Sequence, residues 1–397
     1  MASTDWGMHM RRLVGLVAGS AAMIASPAVA ALPSKARVAT LAGEAMSATG
    51  AKGLAIALID NGRVVSVQAF GARNAKRDPL TRDTVMYGAS LTKALFGYYA
   101  LMLVDEGKLD LDQPVAAMLP RPLPDYGNLD AYGNWGDLKP DERWQRITPR
   151  HILTHSTGFA NFAFLEPDGK LKFHFDPGAR YAYSGEGIIL LQFGIEKGLG
   201  IDVGADVQRR IFTPLGMTNT SLMWRPDFAR NLADGWEADG KVEPHDERSR
   251  VRAAGSMDTS ISDFAKFVAA IARGWGLKAA TRTTYAAPYL PITSRQQFPT
   301  LLPQAAPKDR WPGLAAGLGV ISFAGPQGRG FMKGGHNDST ANMMVCIEAK
   351  RRCVVILSND VRAEKAFPWL LRAILGDTGF PHQWEYPGSE TVLPKRS

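Results

Sequence analysis

Cysteine is scarce in this chain: Cys346 and Cys353 are the only two among 397 residues. That excludes a disulfide-built scaffold, and a spacing of seven is wrong for a zinc site. No apolar run is long enough to span a bilayer comfortably; the longest candidate, Leu13 to Ala25, has about thirteen residues. Basic clusters are equally sparse. The longest Lys/Arg run is Lys350-Arg351-Arg352, with no aromatic platform beside it, so nucleic acid is not an expected partner despite a formal charge of +8. There is no internal repeat, and 45% hydrophobic residues are ample for a large core.

What is present begins at the N-terminus. Arg11-Arg12, the apolar run and Ser26-Pro27-Ala28-Val29-Ala30 have the order of a secretory signal ending in a small-x-small cleavage site. Residues 1–30 are therefore read as a cleaved signal peptide, with an uncleaved anchor as the alternative. The mature protein is expected in the periplasm or outside the cell, with no stable membrane span. Losing Arg11, Arg12 and Asp5 with that segment leaves a charge of +7.

The most informative stretch is Ser90-Leu91-Thr92-Lys93, followed by an apolar segment, Ala94 to Val104, that reads as a buried central helix with a stop at Asp105-Glu106-Gly107. Residues three apart share a helix face, so the Lys93 amine can reach the Ser90 hydroxyl. A buried lysine without a carboxylate beside it loses pKa through desolvation and can take the serine proton near neutral pH.

Asn61-Gly62 between two apolar runs, Gly53 to Asp60 and Arg63 to Phe70, predicts a hairpin. Further strands are expected near Gly317 to Phe323, Arg329 to Gly335, Met343 to Glu348 and Cys353 to Ser358, and a final helix near Ala363 to Leu375. Ser260 heads a capping box for a helix carrying Phe264, Phe267, Val268 and Ile271 on one face. The fold class is α+β: an antiparallel sheet from both chain ends (31–75 and 312–397) with flanking helices, and a mainly helical domain (76–311) inserted between. If the late hairpin turns at Ala349-Lys350, the two cysteines face each other; a disulfide and two buried thiols both remain open, because one step of register separates them. The aromatic connection Pro124 to Trp144 is either a substrate-facing wall or a loop with packed rings. His151 and His155, four apart, have no glutamate after His151, so they are read as structural and no metal is expected.

Two more elements follow the serine. Tyr183 lies in the leading turn of a helix running through Ile188 to Leu191, where nearby cations would lower its phenol pKa. Lys333-Gly334-Gly335-His336 puts a cation and two glycines on a late strand. With these three elements in this order, the chain resembles the serine β-lactamase and penicillin-binding protein superfamily, in the branch of class C β-lactamases, D-Ala-D-Ala carboxypeptidases and family VIII carboxylesterases. Supporting stretches are Asp105 to Val115, His151 to Phe159, Pro214-Leu215-Gly216-Met217 and Ala253 to Thr259.

The resemblance implies a β-lactamase/transpeptidase-like fold and a serine hydrolase without cofactor. It makes Ser90 the acylated nucleophile, Lys93 its amine partner and Tyr183 the general base and acid. Lys333 becomes the lysine of K-T-G, and the amides of Ser90 and His336 the oxyanion hole. Gly185 stands where the family has asparagine and Gly334 where it has threonine, which removes an amide and a hydroxyl. Lys333 suits a substrate carboxylate, so β-lactams or D-alanyl amides are ranked above carboxylic esters; a non-catalytic peptide-binding or sensing protein is the third reading. The expected partner is a small-molecule or peptide substrate, and a monomer is expected.

Overall fold

The computed structural model describes residues 31–388; the signal-peptide reading of residues 1–30 lies outside them. Among the described residues no helix is long and apolar enough to cross a membrane. Helix α1 (Lys35–Thr49) leads into strands β1 (Gly53–Asp60) and β2 (Arg63–Gly71). Their turn places Asn61 (φ 49°) and Gly62 (φ 70°) in the left-handed region that an Asn-Gly hairpin needs. A mainly helical stretch then supplies α2 (Leu91–Asp105), α3 (Gly185–Gly198) and α4 (Ile261–Ala272). The chain returns as β3 (Leu290–Pro291), β4 (Ala315–Ala316), β5 (Ile321–Gly325), β6 (Gly328–His336), β7 (Ala341–Ile347) and β8 (Arg352–Ser358), and closes with α5 (Phe367–Leu375) and α6 (His382–Glu385).

The eight strands form one antiparallel sheet in the order β2-β1-β8-β7-β6-β5-β4-β3. The N-terminal hairpin thus joins the C-terminal strands, as expected, and the sheet gains a short outer strand at Leu290–Pro291 from within the 76–311 segment. Alternation along the central strands feeds two cores. Ala55, Ala57, Cys353 and Val355 face the layer holding α2, α3 and α4, whereas Leu54, Ile56, Val354 and Ile356 face α1 and α5. Because both faces are covered, these strands read as continuous apolar runs.

Two expectations change in detail. The final helix is shorter than Ala363 to Leu375: Val361–Ala366 is a tighter 3-10 turn, capped by Asp360 Oδ1 accepting from Arg362 N at 3.0 Å. The α-helix starts only at Phe367, with Pro368 in its first turn, where a missing N–H breaks no bond. In the late hairpin, Ile347 pairs with Arg352 and Cys346 with Cys353, so the register that opposes the cysteines is adopted and they form a disulfide.

Candidate functional site

Ser90 sits at the start of α2, immediately after Ala89, whose φ of 47° lies in the left-handed region. Such a conformation costs an alanine on the order of 1 kcal/mol and sharpens the turn that presents Ser90. The Ser90 hydroxyl makes no capping bond, which leaves it to the cleft. One helical turn on, Lys93 Nζ lies 3.0 Å from Ser90 Oγ and also donates to the Ala254 carbonyl. Ala254 is held by its own segment, since Met257 N donates to Thr92 Oγ1 at 3.1 Å. Lys93 is 1% exposed. Burial, reinforced by the charge of Lys333, holds its amine well below the usual lysine range.

Tyr183 is not in the leading turn of α3 but one residue before its cap, Ser184, whose Oγ accepts from Gly187 N at 3.1 Å. The cations are where the sequence reading put them: Lys93 Nζ is 4.9 Å and Lys333 Nζ 5.0 Å from the ring centroid. Yet the phenol is raised, not lowered. Burial dominates, against the pull of a hydrogen-bonding interaction with Ser90, and the cations lie over the ring face, where they stabilise the π-system. His155 braces the ring from the other side at 4.4 Å between centroids and accepts from Ser184 N through Nδ1. Burial, then Lys93 and Lys333, keep His155 neutral. His151 caps the short helix Pro149–Leu153.

The third element lies on β6, whose pairing with β5 ends at Met332 and leaves residues 333–336 with an open edge. Gly335 abuts the start of α2: a β-carbon there would lie 2.8 Å from Leu91 N, 2.9 Å from Gly88 O and 3.0 Å from Ser90 N. Lys333, 3% exposed, donates to its neighbour's carbonyl, Gly334 O, at 2.6 Å. It is not a lone cation awaiting a carboxylate, because Glu385 of α6 lines the same cleft. Burial lowers Lys333 to about 8 against the attraction of Glu385, and burial raises Glu385 to about 7 against Lys333 and His336. The His336 ring turns to Glu364 Oε2 at 3.0 Å; burial lowers its pKa, but that bond and charge outweigh burial and raise it.

All seven sequence-assigned residues, Ser90, Lys93, Tyr183, Lys333, Gly334, Gly335 and His336, line one cleft of about 750 Å³. Sequence reasoning missed Glu385, Asn161 and the apolar walls Phe162, Phe164 and Phe298. The aromatic segment Pro124 to Trp144 is not a wall of this cleft; Tyr126, Tyr132 and Trp135 pack on Phe193 of α3 at 4.9, 5.1 and 5.6 Å. Among the described residues no group of three or more His, Cys, Asp or Glu side chains is placed to hold a metal.

A family model described as Beta-lactamase matches residues 38–376. The chain belongs to the Beta-lactamase family. Curated relatives include monacolin J acid methylbutanoyltransferase of Aspergillus terreus, 32% identical over 227 residues covering 49% of this chain and 54% of that protein. Lovastatin esterase of Penicillium rubens is 28% identical over 200 residues, 44% of this chain and 49% of the relative. The chain thus spans about half the length of the curated relatives it matches. Its fold is that of an octameric penicillin-binding protein homologue from Pyrococcus abyssi (TM-score 0.68, 21% identity, 87% and 78% of the two chains). A D-alanine carboxypeptidase from Burkholderia cenocepacia shares it equally well (TM-score 0.67, 18% identity, 86% and 98%).

Two positions at which this Beta-lactamase chain carries glycine are filled by other residues. At Gly185 a β-carbon would collide with the Phe162 ring, 2.6 Å from Cζ, and Asn161 Oδ1 accepts from Gly185 N at 3.0 Å. At Gly334 a β-carbon would run into the Glu385 carboxylate. Glu186, next to Gly185, turns away to accept from Ala163 N at 2.8 Å.

Proposed function

We propose that the chain is an exported serine hydrolase that forms an acyl-Ser90 intermediate on carboxylic esters. The observation that carries this is the 3.0 Å contact between Ser90 Oγ and an amine whose burial favours its neutral form. Neutral Lys93 takes the Ser90 proton as Oγ bonds to the ester carbonyl carbon, and the amides of Ser90 and His336 receive the developing oxyanion. The C–O bond to the alcohol then breaks. Tyr183, held protonated by burial, gives its proton to the departing alkoxide and recovers one from the water that attacks the acyl carbonyl, and the Ser90 Oγ that then leaves takes its proton back from the Lys93 ammonium. This amends the base-and-acid role expected of Tyr183 to that of a resting acid.

The esters move above β-lactams and D-alanyl amides for two reasons. Glu385 offsets the Lys333 charge that favoured a substrate carboxylate, and Phe162 occupies the place of the missing asparagine. The acyltransferase and esterase names of the relatives point the same way. Lys333 in the cleft still supports β-lactams or D-alanyl amides as the second reading.

The test is intact mass after brief exposure to p-nitrophenyl butyrate and to nitrocefin. A butyryl adduct is expected in the wild type and none in Ser90→Ala, and Tyr183→Phe should lose on the order of 10²-fold in turnover. An adduct that survives Ser90→Ala would end the proposal, and an intact protein labelled by neither reagent would favour a binding or sensing role. Export is supported by the order of residues 11–30 and by a disulfide, which suits an oxidising compartment; a secreted protein whose N-terminus is not Ala31 would reject the cleavage site.

A further inference from the structure

Glu385 has no part in the acyl-transfer steps, yet it is a carboxylate 5% exposed on the lining of the reactive cleft. It belongs to α6, beyond residue 376 where the family match stops. Its Oε2 is buried with no hydrogen-bond partner among the described residues, and its Oε1 fills the space a side chain at position 334 would need. Buried polar atoms are almost always satisfied, so an orphaned carboxylate oxygen in a cleft is a group kept for something that enters. Lys333 and His336 face it from β6, Glu364 from the turn Val361–Ala366, Tyr181 and Tyr183 from the segment before α3, and Tyr386 from beside it.

We propose that Glu385 is a specificity-determining residue that cancels the charge of Lys333, so that the cleft accepts esters whose leaving group is uncharged or cationic and rejects those carrying a carboxylate there. The inference rests on the acyl-Ser90 reading and names the substrate class of the same site. A carboxylate brought to Lys333 comes to Glu385 as well, so at that position the Lys333 charge no longer repays the hydration it surrenders, whatever Arg248, Arg250 and Arg252 add elsewhere on the lining. An ammonium, hydroxyl or amide N–H on the leaving group meets an acceptor that is already desolvated and unpaired.

Two probes that differ by one charge decide this: the butyryl esters of 4-hydroxybenzoate and of methyl 4-hydroxybenzoate. Turnover of each is measured together with calorimetric binding of the two free phenols, for the wild type and the near-isosteric Glu385→Gln. In Glu385→Gln at about pH 7, below the value of about 8 that Lys333 holds beside Glu385, the ratio of kcat/KM for the charged ester to that for the neutral one should rise severalfold, and the phenol binding ratio should rise with it. In the wild type both ratios should increase as pH falls from about 7.5 to about 6, chiefly because Glu385, raised to about 7, takes up a proton. The Gln variant keeps Lys333, which itself gains a proton near pH 8, together with His336 and Glu364, so any slope due to them persists there and is subtracted. Ratios within about twofold of wild type, with no extra slope, would overturn the assignment. Should neither ester show Ser90-dependent turnover, the acyl-Ser90 reading fails, and the phenol binding ratio still decides the role of Glu385.

Discussion

Replacing Gly335 with alanine tests whether β6 and the start of α2 act as one unit. The backbone of Gly335 is outside the left-handed region, so alanine adds no torsional penalty and the whole effect is contact. The new methyl would stand 2.8 Å from Leu91 N, 2.9 Å from Gly88 O and 3.0 Å from Ser90 N. Ordinary van der Waals separation for such pairs requires that a gap of about 0.5 Å open between strand and helix. None of the three atoms can swing away. All are main chain, and Leu91 N is bonded to Gly88 O at 3.1 Å. The strand must therefore slide outward and carry the His336 amide away from Ser90. Overpacking of this size costs about 1–3 kcal/mol in stability, and misplacement of reacting groups by a fraction of an ångström to an ångström costs up to ~10²-fold in rate. The assay is kcat for p-nitrophenyl butyrate alongside thermal unfolding. Gly43→Ala serves as control, because the space around Gly43 in α1 is open and alanine there only favours the helix. A folded Gly335→Ala enzyme whose kcat lies within a few fold of wild type would refute the idea that this contact sets the oxyanion geometry.

Lys93 and Gly185 give the remaining tests of the same geometry. In the proposed mechanism activity needs Lys93 as a neutral amine, and its pKa is depressed, so kcat/KM should fall as pH drops through that depressed value and be flat across the range where ordinary lysines titrate. Lys93→Arg, which cannot lose its proton, should cost on the order of 10²-fold or more; retained turnover with an unmoved acid limb would remove Lys93 from the chemistry. Gly185→Asn should gain no nitrocefin turnover and lose about 1–3 kcal/mol of stability against the Phe162 ring, whereas adding Phe162→Ala should relieve the strain. A stable single variant that hydrolyses nitrocefin would show that Phe162 moves aside freely.

Local chemistry was legible in the sequence wherever spacing alone determines geometry. The Ser90–Lys93 contact follows from helix periodicity and the Asn61-Gly62 turn from backbone preference, whereas the opposition of Cys346 and Cys353 was one of two open readings until the strand register decided it. Burial was legible along the continuous apolar helix that carries Lys93, but burial of scattered residues and side-chain direction were not. The two cations were rightly placed near Tyr183, but whether they meet the oxygen or the ring face depends on tertiary packing, and the desolvation that raises the phenol depends on every residue around it. Tyr126, Tyr132 and Trp135 carry nothing that tells a cleft wall from a layer packed on Phe193. Glu385 follows Gln383-Trp384 in an unremarkable C-terminal turn, and only the fold brings it to Lys333.

The two glycines at which this chain departs from its family share a cause that one-dimensional reading could not supply. Each reads in sequence as a deletion: an amide gone at 185, a hydroxyl gone at 334. In the fold neither space is empty. Phe162, from the loop before α3, closes over Gly185, and the Glu385 carboxylate, from the far end of the chain, leans into Gly334. A β-carbon at either position would collide with that neighbour, so each glycine and its occupant are coupled, and a substitution at one is informative only beside a substitution at the other. The net exchange removes a neutral hydrogen-bonding group from each of two positions and adds one aromatic face and one negative charge. On the proposed reading, that exchange turns a cleft suited to an acylamide and a carboxylate into one suited to an apolar acyl group and an uncharged or cationic leaving group, with Ser90 and Lys93 untouched.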